Sequence, residues 1–153
     1  MAIRYVLSID PGGHNGYCLA TKHGMDWNID DVDSVDKNQL YKLLERFADG
    51  HEDDALVIYE QYKLYADKAK AMIGNEFETV QIIGVIKYIT QRRGIKWIQS
   101  PTSSKAFWTD KRLKGMGLYV PIDHKRDAIR HFLYWLYFTN KGADLEEVLR
   151  LKN

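Results

Sequence analysis

The sequence predicts an α/β protein, a mixed five-stranded sheet flanked by helices, and three observations lead there. Three consecutive β-rich runs open the chain, short apolar runs then alternate with segments of helical periodicity, and turn residues punctuate the joins. With 153 residues, 45% hydrophobic and 12% aromatic, the chain can bury a proper core without staples. No internal repeat or low-complexity linker divides it, so one domain spanning 1–153 is expected.

The elements follow in order. Ile3–Ile9 is rich in β-branched and aromatic residues and stops at Asp10-Pro11-Gly12-Gly13, a strong turn signal. Tyr17–Thr21 returns as the second strand of a hairpin, and Asp26–Val32 supplies a third, more polar strand. Asp36 reads as an N-cap, with Gln39 three residues on completing a capping box. Leu40, Leu43, Leu44 and Phe47 continue at helical spacing until Gly50. Ala55–Tyr59 reads as a buried strand with Glu60 at its carboxyl end. Residues 61–74 carry several lysines without clear periodicity, which suits a loop or a loosely helical segment. A long helix is expected from Asn75 to about Gly94, with Glu78 at N3 and Phe77, Val80, Ile83 and Ile86 on a wide apolar face. Ile95–Ile98 is another short strand, and Pro101 suits the first turn of a short helix to about Trp108. Thr109–Gly117 combines two glycines with a basic cluster and reads as a mobile loop. A major helix over Ile122–Phe138 and a terminal amphipathic helix over Ala143–Leu151 complete the chain.

Charge and cysteine content narrow the setting. The formal net charge is only +1, but its distribution is uneven. Lys105, Lys111, Arg112 and Lys114 cluster around a single acid, Asp110; Arg92, Arg93 and Lys96 form a second basic group and Lys63, Lys68 and Lys70 a third. Acids gather instead at Asp26–Asp36, Glu45–Asp54 and Asp144–Glu147, so a nearly neutral protein can carry a basic face. A lone cysteine, Cys18, cannot form an internal disulfide, which fits a reducing cytoplasm. The apolar run at the N-terminus is too short for a signal peptide, and no stretch approaches the ~20 apolar residues of a membrane span.

Three acids stand in unusual places. Asp10 ends an apolar strand beside a Pro-Gly-Gly turn, Glu60 ends Leu56-Val57-Ile58-Tyr59, and Asp127 sits in a helix otherwise filled by Ala128, Ile129, Phe132, Leu133 and Trp135. If the first and fourth strands are neighbours, Asp10 and Glu60 emerge side by side, and a helix packed there adds Asp127. Each has an ordinary reading alone: an Asx-type turn for Asp10, a solvated strand end for Glu60, a helix-surface pair with Arg130 or Lys125 for Asp127. Together they favour a metal site, because clustered carboxylates repel one another unless a cation neutralises them. Hard oxygen ligands suit Mg²⁺ or Mn²⁺. Two such ions about 4 Å apart can activate a water and stabilise a departing 3′ oxygen during phosphodiester hydrolysis. His124, three residues before Asp127, projects from the same helix face and can ligate a metal or protonate a leaving group. His14 and His131 are weaker candidates; His131 lies one turn beyond Asp127, placed to pack or hydrogen-bond nearby.

These residues match a family pattern. Ser8-Ile9-Asp10-Pro11-Gly12 resembles the first-strand motif of RuvC-type Holliday junction resolvases, Val57-Ile58-Tyr59-Glu60-Gln61 their second motif, and His124-Lys125-Arg126-Asp127-Ala128 their last. Pro101 followed by Lys105 is similar to the family's Pro-x-x-x-Lys segment, and the order holds from residue 3 to about 138. The resemblance implies an RNase H-like fold and a homodimer with two Mg²⁺ ions, replaceable by Mn²⁺, held by Asp10, Glu60, His124 and Asp127. It also implies paired symmetric nicking of a four-way DNA junction. The pattern departs at His14 in the first turn, over Gly74–Gly84, and in the basic stretch Lys111–Gly117, and the compact, divergent form is similar to phage-encoded members.

Junction affinity should come mainly from cations meeting backbone phosphates, with Lys63, Lys68, Lys70, Lys105, Lys111, Arg112 and Lys114 as candidate contacts. Tyr62 and Tyr65 are candidates to stack on unpaired bases, whereas Phe107 and Trp108 are expected in the core or a dimer contact. Symmetric cutting calls for a two-fold dimer, for which the Asn75–Arg93 helix is the candidate interface. Two other nucleic-acid readings stay open: a nuclease acting on flaps, other branched DNA or RNA–DNA hybrids, and a junction-binding module without catalysis. An actin-like ATPase would need two such domains and a further glycine-rich phosphate loop, so no nucleotide cofactor is expected.

Overall fold

A computed structural model describes residues 2–62, 75–139 and 149–150. The strands are β1 (Tyr5–Asp10), β2 (Asn15–His23), β3 (Asp26–Val35), β4 (Ala55–Glu60), β5 (Lys96–Ser100) and β6 (Leu149–Arg150). The helices are α1 (Lys37–Ala48), α2 (Asn75–Arg93), α3 (Ser104–Phe107), α4 (Asp110–Gly115) and α5 (Asp123–Thr139). The five expected strands form one mixed sheet in the order β5-β4-β1-β2-β3, with the two-residue β6 added beside β3. β1, β2 and β3 run as an antiparallel meander, whereas β4 and β5 are parallel to β1.

Strand alternation divides the core between the two faces of the sheet. Val6, Leu56 and Ile58 pack on one face with Ala128, Ile129, Phe132 and Leu133 of α5. Leu7, Ile9, Val57 and Tyr59 pack on the other with Leu40 and Leu44 of α1 and Ile82, Ile86 and Ile89 of α2. The capping box expected at Asp36 is present: its side chain accepts from the Gln39 amide at 2.8 Å, and the Gln39 side chain accepts from the Asp36 amide at 3.1 Å. Gly50 follows α1 with φ +77, the left-handed conformation that a helix exit favours. No helix among the described residues is long and apolar enough to cross a membrane.

Four local expectations change. The stretch after Thr109 is not a loop but α4, capped by the Thr109 hydroxyl accepting from the Arg112 amide and anchored by the fully buried Leu113. Helix α3 starts at Ser104, three residues after Pro101. On α2 only Ile83 and Ile86 of the four expected apolar residues are buried, and Phe77 and Val80 are exposed at 56% and 43%. Lastly, Leu149 and Arg150 are strand, not helix; the remainder of the expected terminal helix lies outside the described residues. The segment 63–74 also lies outside them.

Candidate functional site

The period of two along a strand decides where the acids point. Asp10 shares a face with Val6 and Ser8, and Glu60 with Leu56 and Ile58, the face that α5 covers. Ile9 lies opposite Tyr59 in the parallel β1–β4 pair, and Glu60 lies opposite Ser100 in β4–β5, so Asp10, Glu60 and Ser100 end three adjacent strands on one side. On α5, His124, Asp127, Ala128 and His131 fall at i, i+3, i+4 and i+7, a single stripe.

Two contacts lock that stripe over the strand ends. The Ser8 hydroxyl donates to the Ala128 carbonyl at 2.7 Å in the buried interior. At Gly16 a Cβ would stand 2.0 Å from the His124 carbonyl oxygen, so only glycine lets β2 approach the first turn of α5 this closely. Beside it, the turn after Asp10 is shaped by the fully buried Asn15, whose side chain accepts from the Gly12 amide and donates to the Val35 carbonyl.

The charged groups then interlock. Asp10 is 4% exposed, and its Oδ2 lies 2.9 Å from His124 Nδ1; this bond raises the His124 pKa against the opposing effect of burial. Burial, followed by the neighbouring Asp10 carboxyl, raises the Glu60 pKa. Lys105 Nζ lies 3.1 Å from Glu60 Oε1 and 3.3 Å from Asp127 Oδ2. Burial opposes its charge, but the surrounding carboxylates outweigh burial and leave its pKa raised. The other Asp127 oxygen accepts from Arg130 at 2.8 Å, and Arg130 also donates to the Trp108 carbonyl and to Asp110. His131 is fully buried, with Nδ1 2.7 Å from the Ser100 hydroxyl and 3.0 Å from that of Ser104. Burial pushes its pKa down to about 4, so the ring is neutral at pH 7.

The donor set fits a divalent cation. Asp10, Glu60 and His131 each offer a ligand atom, all within 4.8 Å of one another, and His131 Nε2 is buried without a hydrogen-bond partner among the described residues. Asp10 and Glu60, with Lys105, His124 and Asp127, line a cleft of about 1000 Å³ that His14, Tyr62, Thr102 and Ser103 also line.

The expected nucleic-acid contacts distribute differently. Tyr62 lines the cleft and packs partly buried against the core under α1 and α2. Lys63, Tyr65, Lys68 and Lys70 lie outside the described residues. Lys105 turns inward to the carboxylates. Lys111 is exposed on α4; Arg112 lies over the Phe107 and Trp108 rings, 4.7 and 4.5 Å from their centroids, and Lys114 lies 4.6 Å from the Tyr119 centroid. Trp108 is a core residue at 2% exposure, and Phe107 packs against that core. Arg92 and Arg93, part of the second basic group, pair with Glu45, Asp49 and Glu52 and tie α2 to α1. The inward turn of Lys105 and the roles of Ser100 and Ser104 had no sequence reading, whereas the Asp127–Arg130 pair, the ordinary reading of Asp127, is present. For His131 the signal was its place on the His124–Asp127 stripe.

No family model and no curated protein sequence matches the chain. Solved structures do. T. thermophilus RuvC in complex with Holliday junction substrate aligns over 91% of this chain and 96% of its own, with TM-score 0.64 and 15% identity. A second Thermus thermophilus RuvC structure aligns over 90% and 96% with TM-score 0.64 and 14% identity. The fowlpox virus Holliday junction resolvase aligns over 88% and 99% with TM-score 0.55 and 15% identity. The chain therefore has the RNase H-like fold of these proteins.

Proposed function

We propose that this chain is a metal-dependent endodeoxyribonuclease that resolves four-way DNA junctions as a homodimer by paired symmetric nicks. The observation that carries the reading is the convergence of Asp10, Glu60 and Asp127 at the ends of β1 and β4 beneath α5, on a fold shared with proteins solved with Holliday junctions. Asp10, Glu60, His124 and Asp127 would hold two Mg²⁺ ions, or Mn²⁺ in their place, which supply water activation and charge neutralisation at the scissile phosphate.

The chain's own groups do the remaining work. His124, half-exposed in the cleft and made more basic by Asp10, is suited to bind a metal ion or, where it is not a ligand, to protonate a departing oxygen. Lys105 keeps a positive charge among the acids and offers it to a phosphate oxygen entering the cleft. Arg130 fixes one Asp127 oxygen, so the carboxylate meets its partners in a set orientation. Lys111, Arg112 and Lys114 on α4, with Lys63, Lys68 and Lys70, follow the DNA backbone, and Tyr62 and Tyr65 stack on bases opened at the branch. Their reach makes binding steeply salt-dependent.

Support for the dimer comes from α2. Phe77, Val80, Gly84 and Tyr88 fall at helical spacing on one side, diametrically opposite the Ile82, Ile86 and Ile89 that enter the core. Phe77, Val80 and Tyr88 are 56%, 43% and 64% exposed, and among the described residues nothing lies within 4 Å of a Cβ added at Gly84, so a second copy can pack closely here.

The test compares end-labelled four-way, three-way, flap and RNA–DNA hybrid substrates with Mg²⁺. Preferential, symmetric cutting of the four-way junction is expected. Equal cutting of all branched DNA would move the assignment to a broader branch nuclease, and hybrid-only cutting would reject it.

A further inference from the structure

Resting on the reading of this cleft as a metal-dependent nuclease centre, we propose that His131 is itself a ligand: its Nε2 joins Asp10 and Glu60 on one divalent ion and biases the site toward transition ions over Mg²⁺. Its place is unusual. The side chain is 0% exposed, yet Nε2 has no hydrogen-bond partner among the described residues. A buried nitrogen left unpaired costs stability, so such an atom calls for an explanation. His131 offers a ring nitrogen within 4.8 Å of ligand oxygens of Asp10 and Glu60, and of its two nitrogens Nε2 is the one that no serine hydroxyl engages.

The other side of the ring supplies the second argument. Nδ1 sits between the hydroxyls of Ser100 and Ser104, at 2.7 and 3.0 Å, and either oxygen can accept a proton from it. With the proton on Nδ1, the Nε2 lone pair is left free to bind an ion. This is how a ligating imidazole is ordinarily fixed, its second nitrogen donating to a partner outside the metal's own shell. Were Nε2 protonated and serving only to brace a carboxylate, it would be found bonded to one; it is not. The two histidines of the stripe thus divide the work. His124, bonded to Asp10 through Nδ1 and 41% exposed, lines the cleft, and His131 is fully buried against Ser100 and Ser104. An imidazole among hard oxygens is a softer donor, which favours a transition ion over Mg²⁺.

The experiment uses the full chain and Mn²⁺ alone, read by calorimetric titration and pulsed electron paramagnetic resonance, with no DNA present. Wild-type protein should bind Mn²⁺ with a resolved ¹⁴N coupling, and that coupling should persist when the two imidazoles that line the cleft are removed (His14→Ala with His124→Ala). His131→Asn keeps an amide near Ser100 and Ser104 but removes Nε2. It should abolish the persisting coupling and raise the Mn²⁺ dissociation constant roughly tenfold or more, with a smaller rise for Mg²⁺. Loss of the coupling in the His14→Ala, His124→Ala protein overturns the proposal and needs no substitution at 131, so it stands even where the 131 variant misfolds. Unchanged Mn²⁺ affinity in a folded His131→Asn protein overturns it equally. Failure of wild-type protein to bind Mn²⁺ at all overturns the metal-dependent reading beneath it, a result distinct from both.

Discussion

Two carboxylates at the ends of neighbouring parallel strands repel each other, and the residues around Asp10 and Glu60 answer that repulsion with cations and hydrogen bonds. Lys105 bridges Glu60 and Asp127, Arg130 holds the other Asp127 oxygen, and His124 bonds Asp10. His131 contributes no charge, because burial keeps it neutral, and that has a measurable consequence. Its pKa is about 4 in the folded protein against 6.5 for the free side chain, so between these values the unfolded chain binds the extra proton. Folding stability contributed by this residue is therefore complete above pH 6.5 and declines as pH falls toward 4, by an amount on the order of 3 kcal/mol. Urea unfolding with chelator present, from pH 7 to 4.5, should show this decline in wild type, and His131→Asn should remove it. Parallel curves for the two proteins would mean that the ring is not held neutral.

At the scale of elements, the site depends on how closely α5 approaches the meander. Gly16→Ala places a methyl against the His124 carbonyl, which backbone cannot yield cheaply. The expected result is a loss of about 2–3 kcal/mol in unfolding free energy, with cleavage falling further than stability alone explains, because His124 and Asp127 move away from Asp10. Normal stability and normal cleavage in this variant would contradict the positioning assigned to the β2–α5 contact. Elements whose signals are local were legible in the sequence: the Asp36–Gln39 capping box, the Asp10 turn, and the apolar runs ending in Asp10 and Glu60. Others depended on partners distant in the chain. Two glycines and a basic cluster suggested a loop where α4 forms, since burial of Leu113 and the stacking of Arg112 on Phe107 and Trp108 become visible only once the chain has folded. On α2 the pattern merged two opposite apolar stripes into one wide face; only the packing of Ile82, Ile86 and Ile89 on the sheet separates them. For Lys105 the sequence offered only a cation in a basic stretch; its placement between Glu60 and Asp127 depends on the folded position of α3.

For the whole molecule, the proposed dimer through the outer stripe of α2 would link architecture to symmetric cutting. Phe77→Glu with Val80→Glu alters exposed positions, so each protomer should fold normally while the dimer dissociates in sedimentation experiments. Junctions should then receive single nicks in place of paired ones. A dimer that survives both charges would place the interface elsewhere. The central claim, however, is that Asp10, Glu60 and Asp127 converge to gather divalent cations for strand cleavage, and one substitution tests it most directly. Asp10→Asn keeps the size and hydrogen-bonding reach of the side chain but removes its charge from the cluster. With a labelled four-way junction and Mg²⁺, the variant should bind DNA as wild type does and cut it at least a hundredfold more slowly, the order expected when an electrostatic group at the reacting centre is lost. Cleavage at the wild-type rate would contradict the account.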